Sequence, residues 1–145
     1  MSEQPARMKD FLRSSLVHFV TFYGLALVFG APLTSVTGTT TFSLLLTLLC
    51  TVPLFLFCGP KFTHILDLLI SRRINKEERS ARVIITATLF GAWLGSIVIP
   101  LDWDRWWQVW PISNCIAMVA FSLFGWIFNL TVMRRYPTLL QDIKI

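Results

Sequence analysis

Residues 83–101, VIITATLFGAWLGSIVIPL, and 112–133, ISNCIAMVAFSLFGWIFNLTVM, decide the fold class of this chain. Each is an apolar run of about 20 residues, the length that an α-helix needs to cross a hydrocarbon core of about 30 Å. Neither run contains a charged side chain. Two shorter apolar runs precede them, at 16–31 and 42–57, and the second contains Pro53, which predicts a kink. The sequence therefore predicts an all-α polytopic membrane protein with about four transmembrane helices.

The composition of the whole chain supports a single transmembrane domain over residues 1–145. Hydrophobic residues make up 54% of the chain and charged residues 14%, and the mean hydropathy is +0.64. Soluble domains carry about 25% charged residues. A soluble chain of this size has too few polar groups here to cover so much apolar surface. We therefore expect a membrane domain rather than a soluble enzyme.

The first apolar run, 16–31, has an alternative interpretation as a cleaved signal peptide, because basic residues precede it. The run is long for that role, and Pro32 disfavours cleavage after Ala31. Cleavage would leave the side of every later loop unchanged, so the predicted topology does not depend on it.

The lysines and arginines predict the orientation of the four spans. Twelve of the thirteen lie in the two terminal tails and in the loop 59–82, whereas the loop around 32–41 has none and the loop 100–111 has only Arg105. Basic residues accumulate on the cytosolic side of membrane proteins. Both termini and the loop 59–82 are therefore predicted to be cytosolic, and the loop 100–111 lumenal. The same asymmetry accounts for the pI of about 9.6 without a nucleic-acid partner.

The segment 61–80, KFTHILDLLISRRINKEERS, combines apolar residues with a basic second half. This pattern suits a helix that lies on the cytosolic membrane face, with its basic residues near anionic headgroups. A helical extension of the second span, followed by a solvated loop, fits the pattern equally well.

The predicted lumenal loop 100–111, PLDWDRWWQVWP, has an unusual composition. It holds four of the six tryptophans of the chain, at the spacing of one helical face: Trp103, Trp106, Trp107 and Trp110. The spacing predicts a short helix on the membrane surface, with the indoles at headgroup depth. Asp104, Arg105 and Gln108 would then face water. An ordinary aromatic belt with no recognition role is the alternative.

Asp102 and Asp104 are the candidates for chemistry in this loop, because Asp-x-Asp is the spacing of a metal-binding carboxylate pair. Two carboxylates offer too few oxygens for a divalent ion, and Arg105 provides a local counter-charge. No nucleophile–base pair lies near the loop, and His18 and His64 are the only histidines. We therefore expect no catalytic residue, no metal site and no cofactor. The uncharged spans also argue against a transporter or channel.

Three stretches together resemble the signature of one family: FGAWLG at 90–95, IPLDWDR at 99–105 and WQVWPI at 107–112. They are similar to the phosphatidylinositol-glycan biosynthesis class F family (PIG-F). Trp106 stands where members of that family more often have proline. The chain is short for the family, so one or two N-terminal spans are expected to be missing, or the isoform to be trimmed.

The resemblance implies an accessory, stabilising subunit of the endoplasmic-reticulum transferases that add ethanolamine phosphate to mannoses of the glycosylphosphatidylinositol (GPI) anchor precursor. The implied partner is the larger, polytopic catalytic subunit, with a zinc-dependent domain in the lumen. The alternative is a small membrane-embedded lipid-modifying transferase that uses Asp102 and Asp104. The motif expected to face the partner or membrane lipids comprises Asp102, Trp103, Asp104, Arg105, Trp107, Gln108, Trp110 and Pro111.

Overall fold

The computed structural model describes residues 3–59, 64–100 and 105–133, with side chains from residue 8 to residue 131 of those ranges. The described residues form helices and turns. The helices are α1 (Glu3–Val28), α2 (Val36–Cys58), α3 (Ile65–Ile70), α4 (Lys76–Ile97) and α5 (Ile112–Phe128), and α5 continues as a π-helix (Asn129–Met133).

Four of these helices are long and apolar enough to cross a membrane: α1, α2, α4, and α5 with the start of its π-helical extension. The prediction of an all-α chain with four transmembrane helices is confirmed. The helices extend beyond the apolar runs, because helical hydrogen bonding continues into the polar flanks. α4, for example, begins at Lys76, where Asn75 and Glu78 form a capping box. Pro53 lies inside α2, which continues to Cys58.

The four long helices pack in chain order. α1 packs mainly on α2, α2 also packs on α4, and α4 makes its most extensive contact with α5. The C-terminal ends of α1 and α4 therefore lie at the same end of the bundle as the N-terminal ends of α2 and α5. We call this the Trp110 end, and we call the opposite end, where Arg82 lies, the Arg82 end.

Glycines on α4 and α5 let the two helices approach closely. A Cβ atom added at Gly95 would lie 2.6 Å from Asn114 Cα, and one at Gly91 would lie 2.7 Å from the carbonyl oxygen of Ala117. Lipid tails are as apolar as leucine, so helices in a membrane associate through such close packing and through hydrogen bonds between them. The α4–α5 pair is thus built on small residues.

The segment between α2 and α4 differs from both predicted alternatives. α2 ends at Cys58, next to Gly59 at φ 59°, and therefore does not extend into the loop. The described part of the segment contains only the six-residue helix α3, whose Ile65 and Leu68 are buried in the core of the bundle. The basic residues from Lys76 onward belong to α4. A long amphipathic helix on the membrane face is therefore wrong for residues 64–80.

Two side chains from the long helices hold α3 in place. Arg82 of α4 donates from Nη2 to the carbonyl oxygens of Leu68, at 2.6 Å, and of Ser71, so a cation meets the carbonyl end of α3. His18 of α1 accepts at Nε2 from the backbone N–H of Ile65 at 3.2 Å. The segment is therefore pinned against the bundle by hydrogen bonds that sequence patterns do not reveal.

Candidate functional site

The predicted motif lies partly outside the described residues. Asp102, Trp103 and Asp104 fall in the undescribed interval 101–104. The remaining members, from Arg105 to Pro111, are described, and they connect the end of α4 to the start of α5 at the Trp110 end.

Residues 105–110 do not form the continuous surface helix that the tryptophan spacing predicted. Only Trp106–Gln108 are helical, in a single 3-10 turn, and the flanking Arg105 (φ −107°, ψ 143°) and Val109 (φ −67°, ψ 130°) are extended. The peptide bond between Trp110 and Pro111 is cis. The prediction of one helix is therefore wrong over residues 105–110. Local hydrogen bonds and contacts with the bundle outweigh the periodicity of the indoles.

Gln108 faces the protein rather than water, which corrects a second expectation. Its side chain is buried, and its Nε2 donates to the carbonyl oxygen of Val98 at 3.1 Å. Its Oε1 accepts from the backbone N–H of Arg105 at 3.0 Å, and its own backbone N–H donates to the Arg105 carbonyl at 3.0 Å. One amide side chain thus closes the turn and ties it to the end of α4.

The tryptophans of the turn divide into different environments instead of sharing one face. Trp110 packs inward: its ring centroid lies 5.1 Å from that of Phe42 on α2, and its Nε1 donates to Thr39 Oγ1 at 3.3 Å. Trp107 is half-buried, whereas Trp106 is 71% exposed. Trp110 is thus a structural anchor, and Trp106 is presented on the surface.

Ser113 and Asn114, in the first turn of α5, also hold this end of the bundle together. Neither was identified from the sequence as a functional or structural residue. Ser113 Oγ donates to the Gly95 carbonyl at 3.1 Å. Asn114 Nδ2 donates to the Ala92 carbonyl at 3.0 Å and lies 2.6 Å from Ser96 Oγ. An asparagine at the start of an apolar span, opposite a Gly-x-x-x-Gly pattern, was the available signal.

The turn is hydrogen-bonded to the bundle on its inner side and exposed on its outer side. Gln108 is bonded to Val98 at the end of α4 and Trp110 to Thr39 of α2, while Arg105, Trp106 and Val109 are exposed. An exposed aromatic and an exposed aliphatic side chain on a fixed turn are suited to recognition at a membrane surface. Within the described ranges, no three His, Cys, Asp or Glu residues lie together as a metal site requires, and Asp102 and Asp104 are outside those ranges.

Comparison with known proteins identifies the family to which the chain belongs. The family model described as "GPI biosynthesis protein family Pig-F" matches residues 2–130. The chain belongs to this family. Pig-F relatives include the human protein named "GPI ethanolamine phosphate transferase, stabilizing subunit", which is 32% identical over 83% of this chain and 61% of its own length. The mouse protein of the same name is 33% identical over 84% of this chain and 53% of its own length.

A fungal Pig-F relative extends the comparison. "Glycosylphosphatidylinositol anchor biosynthesis protein 11" of Yarrowia lipolytica is 40% identical over 68% of this chain and 44% of its own length. The chain thus spans about half the length of the curated Pig-F relatives that it matches. No solved structure matches it.

Proposed function

We propose that this chain is an accessory, stabilising subunit of the endoplasmic-reticulum transferases that add ethanolamine phosphate to mannoses of the GPI-anchor precursor. Its partner would be the larger, polytopic catalytic subunit, and the chain itself would not be catalytic. The observation that carries the proposal is the similarity, over 83% of the chain, to a human protein named as the stabilising subunit of such a transferase.

The geometry at the Trp110 end supports this role. A subunit that stabilises a partner needs a preformed surface, because a surface that is already ordered loses little conformational freedom on binding. The turn 105–111 meets this requirement through Gln108 and Trp110, which fasten it to α4 and α2. Trp106 and Val109 are then the exposed apolar groups that a partner would cover.

The proposed topology places the turn 105–111 in the lumen and Lys76 in the cytosol. Cysteines introduced at Lys76 and Val109, in a chain whose three native cysteines are replaced by alanine, test this. Both positions are exposed, as labelling requires. In sealed microsomes we expect a membrane-impermeant thiol reagent to label position 76 from outside, and position 109 only after permeabilisation. Equal labelling of both before permeabilisation contradicts the topology.

The subunit role is tested by isolating the chain in mild detergent from cells that lack the endogenous family member. We expect a GPI ethanolamine phosphate transferase to co-purify, and surface GPI-anchored protein to be restored. The double variant Trp106→Ala, Val109→Ala is expected to lose the transferase at unchanged expression. The matched control, Val28→Ala, Leu33→Ala, also removes two exposed apolar side chains, which do not belong to the turn 105–111. This variant should retain the transferase.

The same preparation distinguishes the enzymatic alternative. If the purified chain alone transfers ethanolamine phosphate, and Asp102→Asn with Asp104→Asn abolishes the transfer, the chain is itself a transferase and the proposal fails. If wild type and the turn variant both restore surface anchors without any co-purifying transferase, the subunit role fails as well.

A further inference from the structure

A cavity of about 470 Å³ lies between helices at the Trp110 end. Its volume falls within the range of about 300–1,000 Å³ that is usual for ligand sites. Phe42 and Leu46 of α2 form its back wall, and its sides are formed by the C-terminal parts of α1 and α4. Trp110 and Asn114 border it at the end of the bundle.

The exposure of several lining residues indicates that the cavity opens on the side of the bundle. Among the described residues, α1 packs mainly on α2 and makes no extensive contact with α4. Leu25 and Phe29 on one lip, and Trp93 on the other, are lining residues with large exposed fractions of 45%, 85% and 61%. An apolar molecule in the bilayer therefore has a lateral entrance.

The shape of the cavity follows the helix axes. On α4 the lining residues run from Leu89 to Ser96, about 10 Å along the helix, and the lining continues to Pro100. A linear, apolar group that stands parallel to the helices fits this outline. Hydrocarbon chains of a bilayer have that orientation.

The side-chain hydrogen-bond donors that line the cavity already have partners within the protein. Asn114 donates to the Ala92 carbonyl and to Ser96 Oγ, and Trp110 Nε1 donates to Thr39. Because these donors are hydrogen-bonded within the protein, the surface that the cavity offers to a ligand is mainly apolar. The side chains around an empty apolar cavity lack dispersion contacts on the side that faces the cavity. A hydrocarbon chain that enters the cavity restores those contacts.

Arg105, the one basic residue predicted on this side of the membrane, belongs to the turn whose Trp110 lines the cavity. Arg105 is linked through Gln108 to Val98, the neighbour of the lining residue Ile99, and its side chain is exposed. A guanidinium group is a complement for a phosphate group. An amphiphile with an apolar tail and a phosphate head therefore suits the site better than a sterol.

We propose that this cavity binds one acyl chain of a membrane glycerophospholipid, with the lipid phosphate near Arg105. The site is independent of the proposed subunit role, because it concerns only residues of this chain. It also differs from general lipid contact, because Leu46 lines the cavity but has only 4% of its surface exposed in total.

The test uses the full chain reconstituted in phosphatidylcholine vesicles that contain a phosphatidylcholine with a diazirine midway along one acyl chain. After irradiation, mass spectrometry locates the labelled residues. We expect labelling of Leu46 in addition to residues that face the bilayer, such as Leu123 and Ile127. Labelling at Leu123 and Ile127 with none at Leu46 would overturn the proposal.

Two variants fill the cavity from opposite walls. Ala26→Trp adds an indole on α1, and Ile99→Trp adds one in the turn that follows α4. Each should lower Leu46 labelling about tenfold, the effect of a modest loss of affinity. Val20→Trp, on the exposed face of α1, is the matched control and should leave it unchanged. Only filling variants that elute as a folded species are compared. If none of them lowers the labelling of Leu46, the proposal fails.

Two further experiments test whether a sterol or a protein segment fills the cavity instead of a phospholipid. A photoactivatable sterol in the same vesicles should leave Leu46 unlabelled. If the sterol labels Leu46 strongly and the phospholipid does not, the phospholipid proposal is wrong. The phospholipid experiment is repeated on the chain isolated with its co-purifying proteins. If Leu46 is labelled in the isolated chain but not in that assembly, a protein segment fills the cavity and the lipid proposal is wrong.

Discussion

Gly95→Ala is expected to separate α4 from α5 and to destabilise the bundle more than any other glycine-to-alanine change discussed here. The new Cβ atom would lie 2.6 Å from Asn114 Cα, 2.9 Å from the Ser113 carbonyl oxygen and 3.0 Å from the Asn114 backbone nitrogen. All three are backbone atoms, so no rotamer change relieves the contact and α5 must move. We expect a loss of about 2–3 kcal/mol in the free energy of unfolding, measured by denaturation in mixed detergent micelles.

The movement would also weaken the hydrogen bonds between the two helices. Ser113 donates to the Gly95 carbonyl, and Asn114 donates to Ala92 and Ser96. Each such bond contributes about 0.6 kcal/mol in a membrane protein. This weakening adds to the cost of the steric contact, and the expected loss of about 2–3 kcal/mol includes both contributions.

Two other glycines provide a graded control. At Gly125 an added Cβ would lie 3.1 Å from Ile84 Cα and 3.2 Å from Ala87 Cβ, so Gly125→Ala should destabilise less. At Gly24 nothing lies within 4 Å, and Gly24→Ala should be neutral or stabilising, by up to about 1 kcal/mol, because alanine is the better helix former. Equal stability of the Gly95 and Gly24 variants would show that α4 and α5 are not in close contact.

Trp110→Ala is expected to destabilise the bundle about as much as Gly95→Ala, whereas Trp106→Ala should have almost no effect on stability. Trp110 loses its ring contact with Phe42 and its hydrogen bond to Thr39, and the cavity at this end is enlarged. We expect a loss of about 2–3 kcal/mol in the free energy of unfolding, below the full cost of a deeply buried tryptophan because Trp110 is half-buried.

Trp106→Ala is the matched comparison, since it removes the same side chain from an exposed position four residues earlier. Its effect should appear in recovery of the transferase rather than in the unfolding free energy, where we expect less than about 0.5 kcal/mol. Trp110→Phe keeps the ring but not the N–H donor, and should cost about 0.6 kcal/mol. Equal destabilisation by Trp106→Ala and Trp110→Ala would restore the view that the indoles act as one surface unit.

The number and order of the spans could be read from the sequence alone. Transfer into a bilayer depends on the apolar character of a continuous stretch of about 20 residues, and this property is local to the chain. The runs at 83–101 and 112–133 therefore predicted α4 and α5 without any knowledge of their neighbours. The family could be recognised for a related reason, since its signature at 90–112 is a contiguous run of uncommon residues.

The orientation of side chains in the turn 105–111 was decided only by the tertiary structure. The spacing of the tryptophans assigned Gln108 to water and Trp110 to the membrane surface. In the folded chain, however, Gln108 is bonded to Val98, ten residues away, and Trp110 to Thr39, 71 residues away. The position of α3 likewise depends on His18, 47 residues before Ile65. Periodicity reports only the neighbours along the chain, whereas these polar groups take the partners that helix packing brings to them, because an unpaired polar group within a membrane protein is costly.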